Sequence, residues 1–430
     1  MPSRHGIRLL FQKKPAISLP TAELTDVRQV VLPFAFATDA AVRPAVSLYD
    51  TVNKGTPLAV VEDDPIAVVC SSVTGVVSGE RQIQHPLYGT LNCAVIDCMN
   101  DKPSPEVPLP MPEAITPAFI LETAETADII DELDGVPLVL KLREWQQAGC
   151  DFLAADGIEI EPYASSAWAV LRDYAEQVLE GLRLASLCVG APRYHIAVCL
   201  SGQRRRSVAL RIGKEYLYQT DSYYPKADPV RYTRHGSLGT AKHGSRVHSI
   251  GVQACLALYR ALYLGEAHNR CTITVAGDAV PHPQNVSVPF GTTVQQVLEH
   301  CGLIEPPDYL ILGEQMTGTA ALTSDIPILP GMTCILAFTT SAIRPVTPRT
   351  CIGCGRCVQA CHAGLLPFEI NRRYRNMHYE RLGSLATERC DGCNACSYIC
   401  PCGIDLAAVV QEARRADNTI SVELKEDNDA

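Results

Sequence analysis

Aromatic residues make up only 6% of the 430-residue chain. That scarcity argues against the stacked-base platform of a single-stranded nucleic acid binder. Basic charge is also short: 37 Lys and Arg stand against 47 Asp and Glu, a formal charge of −10. Nucleic-acid recognition needs a clustered basic face that displaces counterions from phosphates, so this class is excluded. Small cofactors and basic patches on protein partners are the natural counterparts of an acidic surface. No stretch approaches the ~18–20 apolar residues needed to span a bilayer. Arg4, Arg8, Lys13 and Lys14 are followed by no apolar h-region, so no secretory signal is expected. The expected location is the cytoplasm, where thiols stay reduced. Peripheral attachment at the inner face of the membrane is compatible with this hydropathy.

Cysteine is present in quantity and unevenly spread. Of 19 cysteines, ten lie in residues 1–350 and nine between Cys351 and Cys402. An even disulfide scaffold is thereby excluded, and a local thiolate site is indicated. Hydrophobic residues make up 47% of the chain, ample for ordinary cores. At roughly 100–200 residues per domain the length allows about three or four domains.

The chain reads as multidomain α+β. Residues 1–110 are β-rich: Val30-Val31-Leu32, Pro57 to Val61 and Ile66 to Cys70 are short apolar runs. Turn signals at Asn53-Lys54-Gly55 and Thr74-Gly75-Val76-Val77 separate them, as in a small barrel or sandwich. Asp101 to Pro117 is a proline-rich linker. Residues 118–268 mix the two periods, as an α/β domain does. Trp168, Leu171, Ala175, Val178 and Leu182 mark one helix face between Ala164 and Ala185. Val198-Cys199-Leu200 and Val208-Ala209-Leu210 read as strands, and Gly251 to Leu264 as a buried helix. In residues 269–340, Thr272 to Asp278 is a strand, Gly291-Thr292-Thr293 caps a helix over Val294 to Cys301, and Ile335 to Phe338 is a closing strand. Residues 343–417 hold the cysteine region. An acidic tail, 418–430, reads as disordered.

Cys351, Cys354, Cys357 and Cys361 have C-x2-C-x2-C-x3-C spacing. Cys390, Cys393, Cys396 and Cys400 repeat it, followed by Pro401. Three thiolates two residues apart wrap one corner of a cubane, and the fourth is drawn away to the other cluster. The spacing predicts two [4Fe–4S] clusters, one on Cys351, Cys354, Cys357 and Cys400, the other on Cys390, Cys393, Cys396 and Cys361. Structural zinc prefers two ligand pairs around one ion and suits this pattern poorly. Gly353, Gly355 and Gly392 let backbone N–H groups approach sulfide. His362 stands where such runs usually have proline; it reads as a tolerated turn residue or as a group bonding a cluster sulfur. Cys402 reads as a packing cysteine or an extra redox thiol. With all eight cluster positions filled by cysteine, no iron is open to substrate. The module is a wire, an electron-transfer component rather than a stand-alone enzyme.

The order of these parts resembles the RnfC-like electron transport proteins, relatives of the flavin subunit of respiratory NADH dehydrogenase. The likeness covers nearly the whole chain. Val52-Asn53-Lys54-Gly55 and Thr74-Gly75-Val76 resemble the family's barrel-sandwich hybrid. Asp156-Gly157-Ile158-Glu159-Ile160-Glu161-Pro162-Tyr163 resembles its N-G-x-E-x-E-P-Y motif in a Rossmann-like α/β domain. Thr274 to Val280 with Gly291-Thr292 resembles its SLBB β-grasp domain, and Cys351 to Cys400 its dicluster ferredoxin module. The soluble PrdC-like proteins associated with proline reductase are the closest type.

The resemblance also implies FMN and NADH, but the sequence departs from it there. The family's glycine-rich loop appears as Asp134-Gly135-Val136-Pro137-Leu138-Val139-Leu140-Lys141. Its Asp-Asp-Arg segment appears as Ser165-Ser166-Ala167-Trp168, and its Y-P-x-G-x-E segment as Tyr224-Pro225-Lys226-Ala227-Asp228-Pro229. A kept fold with weakened or lost flavin and dinucleotide binding is expected. Glu159 and Glu161 are candidates either for a residual flavin or nicotinamide contact or for favourable carboxylates at a helix N-terminus. Arg372, Arg373, Arg375 and Arg381 read as a solvated helix face or a steering patch for an acidic partner. His235, His243 and His248 lack metal spacing. Cys70, Cys199, Cys255 and Cys334 are expected in the core. The expected function is transfer of electrons through two [4Fe–4S] clusters to a partner reductase or redox complex. The alternative is an FMN-containing, NADH-oxidising subunit of an Rnf-type ion-translocating NAD:ferredoxin oxidoreductase.

Overall fold

Short apolar runs bounded by turns set the first module. In the computed structural model, residues 6–35, 42–61, 64–67, 69–99, 109, 114–225, 245–342, 346–379 and 382–426 are described. Gln29–Pro33, Gly89–Cys98, Gly75–His85 and Thr51–Val52 form an antiparallel four-stranded sheet in that order. Val42–Pro44, Ala59–Val61 and Asp64–Ala67 form a second, three-stranded sheet. Thr74 to Val77 is not a turn, as the sequence suggested, but the start of the long strand Gly75–His85. Gly75 is required by close approach: a Cβ there would stand 2.2 Å from the Asp97 carbonyl oxygen.

Residues 152–251 form a parallel sheet ordered Leu217–Gln219, Tyr194–Val198, Phe152–Gly157, Val247–Gly251. In chain order that is 3-2-1-4, the doubly wound arrangement. One face carries Leu153, Ala155, Ile196, Val198 and Ile250, packed under Leu171, Val178 and Leu182 of the helix Ser166–Val189 and Leu258 of the helix Val252–Leu264. The alternate residues Phe152, Ala154 and Val247 face the other way, as the two-residue period of a strand dictates. There they meet Ala360 and Ala395 of the cysteine region. The C-terminal module therefore packs against the face left free by those helices.

Val208-Ala209-Leu210 lies in the helix Gly202–Ile212, not in a strand. Only Val208 and Ile212, four residues apart, are buried there, while Leu210 is 86% exposed. A three-residue apolar run was too short to separate the two periods. The strand predicted through Leu200 ends at Val198. The helix Leu406–Glu426 runs through the start of the acidic tail that read as disordered.

The fourth sheet has six strands, ordered Ala22–Glu23, Gln284–Pro289, Arg270–Ala276, Cys334–Phe338, Tyr309–Leu312 and Thr319–Ala321. Its first strand comes from the N-terminal region and pairs parallel to Val286 and Ser287. Val30, Leu32, Val52 and Ile96 share one core with Ile273, Val286, Val297 and Ile335. The two β regions are thus welded, although some 160 residues of chain lie between them. Thr293 caps the helix Val294–His300 by accepting from the Gln296 amide. Among the described residues, no helix is long and apolar enough to cross a membrane.

Candidate functional site

The two cysteine runs fold into matching turns. Gly353 and Gly355 in the first, Gly392 and Asn394 in the second, all have φ between 59° and 73°. Gly355 and Asn394 each cap a short helix, Arg356–Ala360 and Ala395–Tyr398. Left-handed residues at alternate positions turn successive N–H groups inward, as in an anion-binding nest. The sequence marked three of these positions. Asn394 escaped notice because it is not glycine, yet asparagine is the side chain that best tolerates this conformation.

Cys361, from the first run, lines one cavity with Cys390, Cys393 and Cys396 of the second. Cys396 is buried, and its thiol is pushed up to about 12 by burial first and then by Cys390 and Cys361. Thiols this close repel one another as thiolates unless a metal neutralises them. The Leu365 amide lies 3.3 Å from Cys361 Sγ and Gln411 Nε2 lies 3.4 Å from Cys390 Sγ, donors fit to tune a sulfur. Burial first, with Cys351 adding to it, raises the Cys357 thiol, and Cys400 packs against the apolar cluster that holds Cys357. Cys351 and Cys354 are exposed. The donor set of eight cysteines is all sulfur, which fits two iron–sulfur clusters.

Cys402 is buried beside Cys357 and Cys396, in a packing position. His362 Nε2 lies 2.8 Å from Asp391 Oδ2, and these two converge with the Cys393 sulfur at the same cavity. Arg372 and Arg373 both bind Glu369 of their own helix, and Arg375 binds Asn371, so this face is internally engaged. Arg381, His235, His243 and residues 226–229 lie outside the described residues. His248 stacks on Trp145 and approaches the Gly149 carbonyl at 3.3 Å. Among the upstream cysteines, Cys255 and Cys334 are fully buried, whereas Cys70 and Cys199 are half-buried.

Glu159 and Glu161, neighbours in one motif, point to different places. Glu159 accepts from the amides of Ala167 at 2.8 Å and Trp168 at 3.1 Å, capping the helix Ser166–Val189. Glu161 is 3% exposed and accepts from the Met316 amide at 2.6 Å and Thr317 Oγ1 at 3.0 Å. Burial raises its pKa against these two bonds. It lines a cavity of about 180 Å3 together with Asp156, Tyr224, Glu314 and Cys393. Burial, and then Glu161, raise the Glu314 carboxyl in turn. Tyr224 Oη donates to the Cys393 carbonyl at 2.6 Å, and Asn394 Nδ2 donates to the Met316 carbonyl at 2.6 Å. The parallel-sheet, six-stranded-sheet and cysteine regions thus meet at one seam beside the cavity of Cys361, Cys390, Cys393 and Cys396.

The glycine loop that the resemblance implies for flavin and dinucleotide phosphate is not formed. The stretch in the glycine loop's place folds as a turn followed by the helix Leu138–Ala148, with Gly135 its one glycine, at φ 72°. Leu138, Val139 and Leu142 of that helix are buried in the α/β core, so it offers no open cradle of amides.

Two domain families match the chain. The RnfC barrel sandwich hybrid domain matches residues 2–101, and the 4Fe-4S dicluster domain matches residues 350–404. One component of an ion-translocating oxidoreductase complex from Rhodobacter capsulatus is 28% identical over 361 residues, covering 80% of this chain and 69% of that protein. The corresponding component of the Na(+)-translocating ferredoxin:NAD(+) oxidoreductase complex from Acetobacterium woodii is 26% identical over 386 residues, covering 85% of each. A solved NAD+-reducing [NiFe]-hydrogenase is similar at 15% identity and a TM-score of 0.47, over 68% of this chain and 60% of that one.

Proposed function

The chain is RnfC-like, carrying the barrel sandwich hybrid and dicluster domains, and on that footing we propose that it is an iron–sulfur electron-transfer subunit of an Rnf-type ion-translocating oxidoreductase complex. Two [4Fe–4S] clusters carry the electrons. The observation that carries this reading is the cavity that Cys361 shares with Cys390, Cys393 and Cys396. It gathers the four thiols a cubane needs from both runs, as crossed ligation requires. Cys351, Cys354, Cys357 and Cys400 hold the other cluster. The second cluster lies at the seam with the α/β sheet, while the first has exposed ligands at Cys351 and Cys354. Electrons therefore exchange with a partner at the exposed first cluster. The partners are other subunits of the complex or a soluble reductase, and attachment to a membrane is peripheral.

The name of the Acetobacterium relative, a component of a ferredoxin:NAD(+) oxidoreductase, favours a second reading, a subunit that oxidises NADH, with FMN as the resemblance implies. Iron, sulfide and flavin analysis of anaerobically purified protein tests both. Roughly eight irons with matching sulfide and no flavin are expected for two cubanes. A single zinc per chain would sink the electron-transfer reading. Stoichiometric FMN would favour the second. In C361S and in C396S the iron content is expected to fall by about half, with one cluster's signal retained.

A further inference from the structure

In a doubly wound sheet, a ligand enters where the strand order reverses, beyond the carboxyl ends of the strands. Here that point lies between Phe152–Gly157 and Val247–Gly251. The helix Val252–Leu264 begins there, and its first amides are what a bound phosphate would use. They are already taken. Glu132 Oε1 accepts from the Gln253 amide at 2.6 Å and Oε2 from the Ala254 amide at 3.0 Å. Asp131 Oδ1 accepts from the Gly251 amide at 3.0 Å. Two oxygens on consecutive amides is the contact a phosphate would make.

A phosphate site also needs a cation, and one stands at this point. Lys141 Nζ lies 2.6 Å from Asp131 Oδ2 and 2.8 Å from Asp134 Oδ2. Its charge is spent on the same acidic turn. Space is spent as well: a Cβ on Gly251 would stand 2.0 Å from Glu132 Cδ, so the carboxyl group lies directly against the backbone. The neighbouring helix, Ser166–Val189, has its first amides filled by Glu159 in the same two-oxygen manner.

We propose that Asp131 and Glu132 are an internal phosphate surrogate: the turn in place of the glycine loop seals a former cofactor crevice with the chain's own carboxyl groups. The surrogate satisfies the helix amides, neutralises Lys141 and excludes a flavin or dinucleotide phosphate. Electrons then enter the clusters from a protein donor rather than from a nicotinamide held in this crevice.

The test uses the full chain with its clusters and inorganic phosphate as the probe. In the native protein, phosphate is expected to leave the thermal midpoint where chloride of equal ionic strength leaves it. In E132A, which frees two amides beside Lys141, phosphate is expected to raise the midpoint, by an amount that grows with its concentration. In E132Q, which fills the same space and keeps one of the two amides partnered, the response is expected to be weaker than in E132A. A phosphate response in the native protein equal to that of E132A would overturn the surrogate. If E132A does not fold, FMN and NADH titrations of the native protein decide: saturable FMN binding or bleaching of the clusters by NADH overturns the proposal, and the lack of both upholds it. Iron content near eight judges the electron-transfer reading separately, so failure of one is not failure of the other.

Discussion

At the residue scale, Glu132 couples the surrogate to pH. Burial first, and then the adjacent Asp131, push its carboxyl up to about 8, against the pull of the Gln253 and Ala254 amides. A carboxyl raised in the folded state binds its proton more tightly there than in the unfolded chain. Its contribution to stability is full below its unfolded value of about 4.5 and is lost as pH rises through about 8. Chemical denaturation of the native protein is therefore expected to show stability declining between those two values, and the decline is expected to flatten in E132Q. Glu161 works differently, as an anchor. Glu161→Ala leaves a buried amide at Met316 without its acceptor, and a loss of ~1–3 kcal/mol is expected by urea titration. Both glutamates of the E-P-Y motif were legible as candidates, because the motif flags them. Glu132 was not. An Asp-Glu pair in a loop reads as solvated, and its partners lie more than 100 residues downstream.

Elements were legible where they are long. The helices over residues 166–189 and 252–264 show in the apolar period, but their close crossing does not. A Cβ on Gly181 would stand 1.9 Å from the Cys255 carbonyl oxygen. G181A is expected to push the two helices apart at a cost of ~1–3 kcal/mol, measured as a lowered denaturation midpoint. The short helix 202–212 misled because its apolar run is three residues long. The cysteine turns carried their spacing openly and their backbone only partly. N394G is expected to keep full iron content, since glycine adopts the same φ. N394V is expected to lose iron from the second cluster, because a β-branched residue is strained at φ 59°.

Across the whole molecule, burial divides the two clusters. Cys351 and Cys354 are exposed, whereas Cys393 is half-buried against the α/β sheet and Cys396 is buried. Release of iron to a soluble chelator in air is expected to be biphasic, with the fast phase abolished in C354S. Equal rates from both sites would contradict the outward placement of the first cluster. The order of regions was readable from composition and motif. Their welding was not, because contacts between distant segments leave no local period. Nothing in Ala22-Glu23 announces that it edges a sheet begun at Arg270.

That early strand bears on how the chain is made. Ile7 bridges to Tyr224, Ala22–Glu23 pairs with Val286–Ser287, and the Gly6 amide donates to the Gln359 carbonyl. On the ribosome, these residues emerge long before their partners, which lie some 200 to 350 residues downstream. Until those partners are made this segment must wait without them, and the six-stranded sheet stays open at one edge until Ala22–Glu23 docks. Such non-local closure is slow and exposes edges to misassembly. A bulky fusion ahead of residue 6 should therefore disturb maturation of every region downstream, including the seating of the distant cysteine turns, while the same fusion after the last helix should not.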